Sequence, residues 1–206
     1  MAGFFFGRYE RDSDDEWGMD WDFRAAPNEI VELFIFTLEN CGRDLAEFSD
    51  RQVAVGLKAL LFKSLGGDAV EILDDPSVPE IKRLQAIRAL EFLYKDCLAF
   101  RSPSVLGHIC ERDSNPLASV TYRLWDGMPI ERVLNKSKQL RDVLFETLGR
   151  VLRIKNDACI ESALRGLGHF TCANAQAAID DWLGELPPVR PALLEYAKAA
   201  KAGSIL

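Results

Sequence analysis

Hydrophobic residues recur at three- and four-residue intervals along most of the chain, which is the spacing of one face of an α-helix. In the segment 157–168 this stripe consists of Ile160, Ala163, Leu164 and Leu167. Glu161, Ser162 and Arg165 fall on the other side of the same predicted helix. Asn156 or Asp157 is a suitable N-cap, because a side-chain oxygen there accepts a hydrogen bond from a first-turn amide.

Similar stripes lie on both sides of this segment. They run from Leu140 to Leu152, from Ala175 to Leu183 and from Leu193 to Ala200. Connections of about 3 to 6 residues between four such helices predict that they pack as antiparallel neighbours. We therefore expect the segment 157–168 to be the helix around which the rest of the chain is organised.

The N-terminal half also shows helical spacing, with clear start and stop signals. Pro27 opens a helix through Leu38, although the apolar run 33–36 would also fit a buried strand. Capping boxes at 49–52 and 77–80 open two more helices. The second of these is the longest in the sequence and ends before Ser102-Pro103. Asn115-Pro116 opens a further helix, and no strand or hairpin signal is present, so we predict an all-α fold of about eight helices.

The run from Asp157 to Phe170 has an acidic start, a Glu-Ser-Ala-Leu core and a Gly-Leu-Gly-His end. It resembles the second helix of a HEAT-type repeat. The resemblance covers residues 137–206, the last third of the chain, and implies solenoid-like stacking there and a binding scaffold rather than an enzyme. No period of about 40 residues runs along the whole chain, so an irregular helical arrangement is the prediction for the N-terminal end.

Residues 1–26 are rich in both acidic and aromatic side chains, and we treat them as an arm that precedes a single domain over 27–206. One interpretation is a partly disordered acidic tail with some aromatics folded back onto the domain. The other is an arm whose aromatic anchors dock on a partner, or on the neighbouring subunit of a homodimer. The candidate binding residues are Asp14, Asp15, Trp17 and Trp21 in the arm, with Arg165 and His169 in the C-terminal third.

The net charge of −7 limits the kinds of partner. Residues 1–27 contain seven acidic and three basic side chains, so −4 of this charge lies there and −3 in the remaining residues. An acidic chain argues against nucleic acid as a partner and suits a basic protein. The region 132–155 is locally basic, either as a solvated helix face or as a seat for the acidic arm.

Candidate chemistry is sparse. The five cysteines form no C-x-x-C pair, which argues against a disulfide framework or a zinc site and favours a reducing cytoplasm. Of the two histidines, His108 is interpreted as a polar loop residue and His169 as a helix-end residue that suits the dipole. We predict no catalytic residue, metal or cofactor. No apolar run of 18 residues and no secretory signal is present, so no membrane association is expected.

These observations favour a protein-binding module of the adaptor or scaffold type. One alternative is an immunity or inhibitor-type protein that blocks a basic toxin domain. Another is an enzyme or small-molecule binder with a pocket between helices. A histidine that converges on carboxylates in a deep pocket would favour the enzyme, and a shallow groove with ordered arm aromatics would favour protein binding.

Overall fold

A computed structural model describes residues 25–62, 68–127, 137–170, 172–185 and 188–205. Four of the candidate binding residues, Asp14, Asp15, Trp17 and Trp21, lie outside these ranges. The same holds for the helix end predicted at 66–67 and for the helical turn considered at 129–134. The structure therefore tests the predictions for the domain but not those for the arm.

Eight helices of eleven or more residues lie in the described ranges. They are α1 (Pro27–Glu39), α2 (Asp50–Leu61), α3 (Glu80–Phe92), α4 (Pro116–Gly127), α5 (Lys138–Val151), α6 (Asp157–Gly168), α7 (Ala173–Gly184) and α8 (Pro191–Lys201). Short helical turns are found at Cys41–Asp44, Asp68–Glu71, Ile72–Asp74 and Gly107–Ile109. Because these ranges contain no strand, the predicted all-α class is confirmed for the described part of the chain.

Most helices start with the capping chemistry that the sequence predicts. At α2, Ser49 Oγ accepts from the Gln52 amide at 3.2 Å while Gln52 Oε1 accepts from the Ser49 amide at 2.9 Å. Asn156 caps α6 by accepting from the amide three residues further on, at 3.1 Å. Pro27 and Pro191 occupy the first positions of α1 and α8.

The capping box predicted at 77–80 is wrong. The N-cap of α3 is Pro79, so Glu80 takes the first helical position rather than the third. The Ser77 amide instead donates to Asp75 Oδ1 at 2.8 Å. This contact closes a local turn before the helix and leaves Ser77 no capping role.

The long helix is otherwise as predicted. Helical residues continue beyond α3 through a π-type turn at Leu93–Leu98 and on to Ala99–Arg101. Helical structure then stops at Ser102-Pro103, since a residue before proline is driven out of the helical region.

Each of the first six long helices packs against the helix two positions further along the chain. The odd-numbered helices α1, α3, α5 and α7 form one row of neighbours, and the even-numbered helices form a second row. Neighbours in a row run in the same direction. Asp142 near the start of α5 bonds Asn174 at the start of α7, and Arg153 after α5 bonds Glu185 after α7.

Helix α6 is the most completely buried of these elements, as the sequence led us to expect. It contacts α4, α5, α7 and α8. Its Gly166 faces the indole of Trp125, which lies so near that an added Cβ would be 2.9 Å from the ring. Ser162 Oγ lies 2.8 Å from the Tyr94 hydroxyl, which accepts from Trp125 Nε1 at 2.9 Å. The side of α6 opposite the apolar stripe is therefore buried too.

Candidate functional site

The loop between α3 and α4, residues 102–115, is attached to α6 through a fully buried carboxylate. The side chain of Glu161 is 0% exposed. Its Oε2 accepts from the Gly107 amide at 2.8 Å, and its Oε1 accepts from the His108 amide at 2.9 Å. A buried charge is costly unless donors surround it. These amides stabilise the carboxylate and hold the loop on the surface of α6.

The imidazole of His108 supplies the third donor to the same carboxylate. His108 Nδ1 and Glu161 Oε1 form a short hydrogen bond. An ionised carboxylate only accepts hydrogen bonds, so opposite Glu161 in that form the imidazole is the tautomer with its proton on Nδ1. The ring stacks on Tyr196 of α8, with centroids 4.3 Å apart and planes 22° from parallel. No hydrogen bond from Nε2 is found among the described residues.

Two of the candidate binding residues, Arg165 and His169, meet at one carboxylate, Asp126 near the end of α4. Arg165 donates to both oxygens of Asp126, at 2.7 and 3.0 Å. Its guanidinium also lies 4.7 Å above the Tyr122 ring. His169 Nε2 lies 3.4 Å from Asp126 Oδ1. Both residues thus join α6 to α4 and are engaged within the chain.

The environment of these groups shifts several pKa values. Burial raises the pKa of Tyr196 to about 12, with Arg165 opposing the shift. Burial likewise raises the pKa of Tyr122. Burial alone would lower the pKa of Arg165, but the hydrogen bonds to Asp126 and Tyr196 outweigh it and raise that pKa. Arg165 therefore remains charged and both phenols remain neutral around neutral pH.

An ion-pair cluster holds the loop next to the start of α6. Arg190, the N-cap of α8, donates to Glu111 at 2.8 Å and to Asp157 at 2.6 Å. Glu111 also accepts from the Leu106 amide at 2.7 Å, and this amide is the main cause of the lowered pKa of Glu111. Burial alone would lower the pKa of Arg190, but its bonds to the two carboxylates raise it. The loop is thereby tied to both α6 and α8.

Both ends of the loop have anchors of their own. Arg101, just before the loop, donates to Asp50 at 2.8 Å and to two backbone carbonyls before α2. Asn115, at the end of the loop, donates to the same Asp50 at 2.8 Å. Asn156 bonds the carbonyl of Ser102 at 3.0 Å. Residues 102–115 are thus held at the start, the middle and the end.

This anchored loop nevertheless carries apolar surface. Ile109 is 49% exposed, and Phe100, one residue before Arg101, is 82% exposed. Cys110 follows Ile109 with a φ of 58°, in the left-handed region that side chains other than glycine rarely occupy. An apolar side chain is therefore presented on a loop whose backbone is fixed from beneath.

The thiols divide into two groups. Cys41, Cys97 and Cys159 are buried, whereas Cys110 and Cys172 are exposed. Burial raises the pKa of Cys97 to about 11 and the pKa of Cys41 and of Cys159 to about 12. The buried thiols act as apolar core side chains.

Sequence reasoning located part of this site. It selected Arg165 and His169, but it assigned Glu161 and Ser162 simply to the side of α6 away from the apolar stripe. It treated His108 as a polar loop residue, whereas the structure shows its ring largely enclosed between Glu161 and Tyr196. The sequence contained one indication that Glu161 and Ser162 are buried. Helix α6 has too few polar residues to form a solvated face.

Three of the described basic residues in the region 132–155 form ion pairs within the chain. Lys138 pairs with Asp142, Arg150 with Glu91, and Arg153 with Glu185. Their charges are shared with these partners, which agrees with a solvated helix face. The interpretation of this region as a seat for the arm stays a prediction.

Among the described residues, no group of three or more histidine, cysteine, aspartate or glutamate side chains is arranged to hold a metal ion. Nor is any helix in these ranges both long and apolar enough to cross a lipid bilayer. Comparisons of the chain with protein-family models, curated proteins and solved structures find no match.

Proposed function

We propose that this chain is a protein-binding module of the scaffold type, with the loop 102–115 and the adjoining Phe100 as its contact surface. One observation carries the proposal: the fully buried Glu161 fixes a surface loop that presents the half-exposed Ile109. A loop that is ordered before binding loses less entropy when a partner docks. Exposed apolar side chains on such a loop are suitable anchors for a partner.

The arrangement of the helices supports the same proposal. Two rows of helices that contact one another in chain order are what HEAT-like stacking requires, and such scaffolds serve as binding surfaces. The net charge of −7 favours a basic partner, because opposite charges accelerate encounter. An inhibitor of a basic toxin domain is one protein of this type.

Affinity capture from the natural host, with a tagged full-length chain, tests the proposal. Two variants, Phe100→Ser and Ile109→Ser, remove the two anchors, and Glu146→Ser changes an exposed side chain of α5 that belongs to neither anchor. We expect at least one captured protein to be lost with both anchor variants and retained with Glu146→Ser. It should then bind the purified chain directly. If the captured proteins are the same for all four chains, the proposed surface is wrong.

A second candidate is a small-molecule or acid–base site at His108. The specific observation is that a buried carboxylate orients this imidazole through Nδ1, which is how an active-site base is commonly held. Arg165 and the hydroxyl of Tyr196 lie 3.4 Å apart beside it and would suit an anionic ligand.

Thermal-shift screening of metabolites against the wild type and His108→Gln tests this candidate. A ligand that stabilises the wild type but not His108→Gln would support it. Since the variant also removes a contact to Glu161, Glu111→Gln serves as a control that loosens the same loop while keeping the imidazole. A ligand set that stabilises all three chains equally would exclude His108 as a ligand-binding residue.

A further inference from the structure

Apolar side chains are also exposed away from the loop, on the outer faces of α1 and α3. Phe36 of α1 is 53% exposed, and on α3 Ile81 is 65% and Phe92 is 37% exposed. Ile81 and Phe92 are eleven residues apart, which places them on the same side of a helix. Exposed aromatic and aliphatic side chains that share one face indicate an interaction surface.

Contacts between the two helices fix their relative height. Lys82 Nζ, in the first turn of α3, lies 3.3 Å from Oε1 of Glu32 in the middle of α1. Near their ends, Cys41 Sγ donates to the carbonyl of Phe92 at 3.5 Å. The helices therefore run in the same direction, and Phe36 is level with the middle of α3.

The two exposed ridges carry opposite charge. On α1 the ridge consists of Glu29, Glu32, Phe36 and Glu39, and this helix contains no basic residue. On α3 the exposed residues of the ridge are Ile81, Arg88 and Phe92, and Lys95 follows in the π-type turn at Leu93–Leu98. Arg88 and Lys95 have no acidic partner among the described residues. An acidic ridge and a basic ridge thus lie side by side, each with at least one aromatic side chain.

We infer that this α1/α3 face binds a second copy of the chain across a two-fold axis parallel to the helices. Such a rotation places α1 of one copy over α3 of the other, at the same height. Glu39 then lies opposite the ridge that carries Arg88, and Phe36 lies between Ile81 and Phe92. An axis perpendicular to the helices would instead oppose the two acidic ridges. Charge therefore selects the parallel axis, and the contact occurs twice by symmetry.

Sedimentation equilibrium of the full chain tests the self-association. We expect a monomer–dimer equilibrium that Phe36→Ser combined with Ile81→Ser weakens by about 100-fold, since two apolar anchors are lost from each half of the interface. Ile109→Ser removes a half-exposed apolar side chain from the loop and should leave the equilibrium unchanged. The surface is separate from the loop 102–115, so this result and the capture experiment are independent.

Charge reversal tests the geometry. Arg88→Glu and Glu39→Arg should each weaken the homodimer by about tenfold or more, because like charges then meet twice. A mixture of these two variants should form a heterodimer about as stable as the wild type, since both contacts become attractive again. Glu146→Arg, on the exposed face of α5, is the matched control and should have no effect.

Three outcomes would overturn the inference. They are a wild type that stays monomeric up to about 1 mM, where even weak complexes form, a dimer that survives the double serine variant, and a mixture of the charge variants that does not associate. The first would assign the face to a different partner. The second would place the dimer contact elsewhere on the chain.

Discussion

Replacing Glu161 with glutamine tests whether the buried carboxylate holds the loop. The two side chains have nearly the same shape, so the substitution leaves no cavity. It removes the charge and turns one of the two acceptor oxygens into an NH2 donor. Since Gly107 bonds one oxygen and His108 bonds the other, at least one backbone amide then faces a donor.

The expected loss of stability follows from these contacts. Hydrogen bonds to a charged group contribute about 1.5–3 kcal/mol each, and a buried donor left without an acceptor costs about 1–3 kcal/mol. We therefore expect Glu161→Gln to lower the free energy of unfolding by about 3–5 kcal/mol. A domain with about 5–15 kcal/mol of stability would remain folded or become marginal.

Urea unfolding followed by far-UV circular dichroism measures this loss, with Glu146→Gln as the matched control. Glu146 is an exposed glutamate of α5, so its replacement should change the stability by at most about 0.5 kcal/mol. Hydrogen exchange adds a local measurement. The amides of Gly107 and His108 should exchange much faster in Glu161→Gln, while amides in the core of α5 change only by the global loss.

A double-mutant cycle with His108→Ala separates the imidazole contact from the amide contacts. We expect a coupling free energy of about 0.5–3 kcal/mol between positions 108 and 161. The reasoning is refuted if Glu161→Gln costs less than about 1 kcal/mol and the two loop amides keep their protection. The carboxyl group would then not be the anchor that the geometry indicates.

Three further predictions concern packing and titration. Gly107→Ala should destabilise the protein by about 1–3 kcal/mol, because a Cβ there would lie 2.5 Å from the Tyr122 ring. Gly184→Ala is the control, because a Cβ at Gly184 would have no atom within 4 Å. Its melting temperature should not fall below that of the wild type. Native protein should react quickly with Ellman's reagent at two thiols, Cys110 and Cys172, and a third fast thiol would contradict the structure. The urea midpoint should fall from pH 9 upwards, because the buried thiols, with a pKa of about 11 to 12, ionise more readily in the unfolded chain. A constant midpoint to pH 11 would be inconsistent with their burial.

The helices and most of their ends could be predicted because their causes are local. Apolar spacing, the Ser49 capping box, the Asn156 cap and the prolines at 27 and 191 all act within a few residues. The wrong prediction of a capping box at 77–80 also has a local cause, because the N-cap of α3 is Pro79 and not Ser77.

The site was harder to predict because its contacts are distant in sequence. Glu161 meets residues more than fifty positions away, and Arg190 meets Glu111 seventy-nine positions away. A single periodicity shows which side of α6 is apolar, but not whether the other side meets water or a polar loop. Arg165 and His169 were selected from the same helix, but their shared partner Asp126 lies on α4 and could not be inferred from spacing.

Helix α6 shows both local and long-range effects. Its apolar stripe follows from local spacing, whereas its few polar residues each bond a segment distant in sequence instead of facing water. Asn156 bonds the start of the loop, Glu161 bonds its middle, and Ser162 bonds Tyr94 in the helical segment that leads to Phe100. The exposed residues Phe100 and Ile109 are therefore positioned by side chains that no partner would touch. If the loop binds by preorganisation, Glu161→Gln should weaken capture of the partner although both anchors are still present. If capture is unchanged while the loop amides lose protection, the anchors act alone and the buried carboxylate serves stability only.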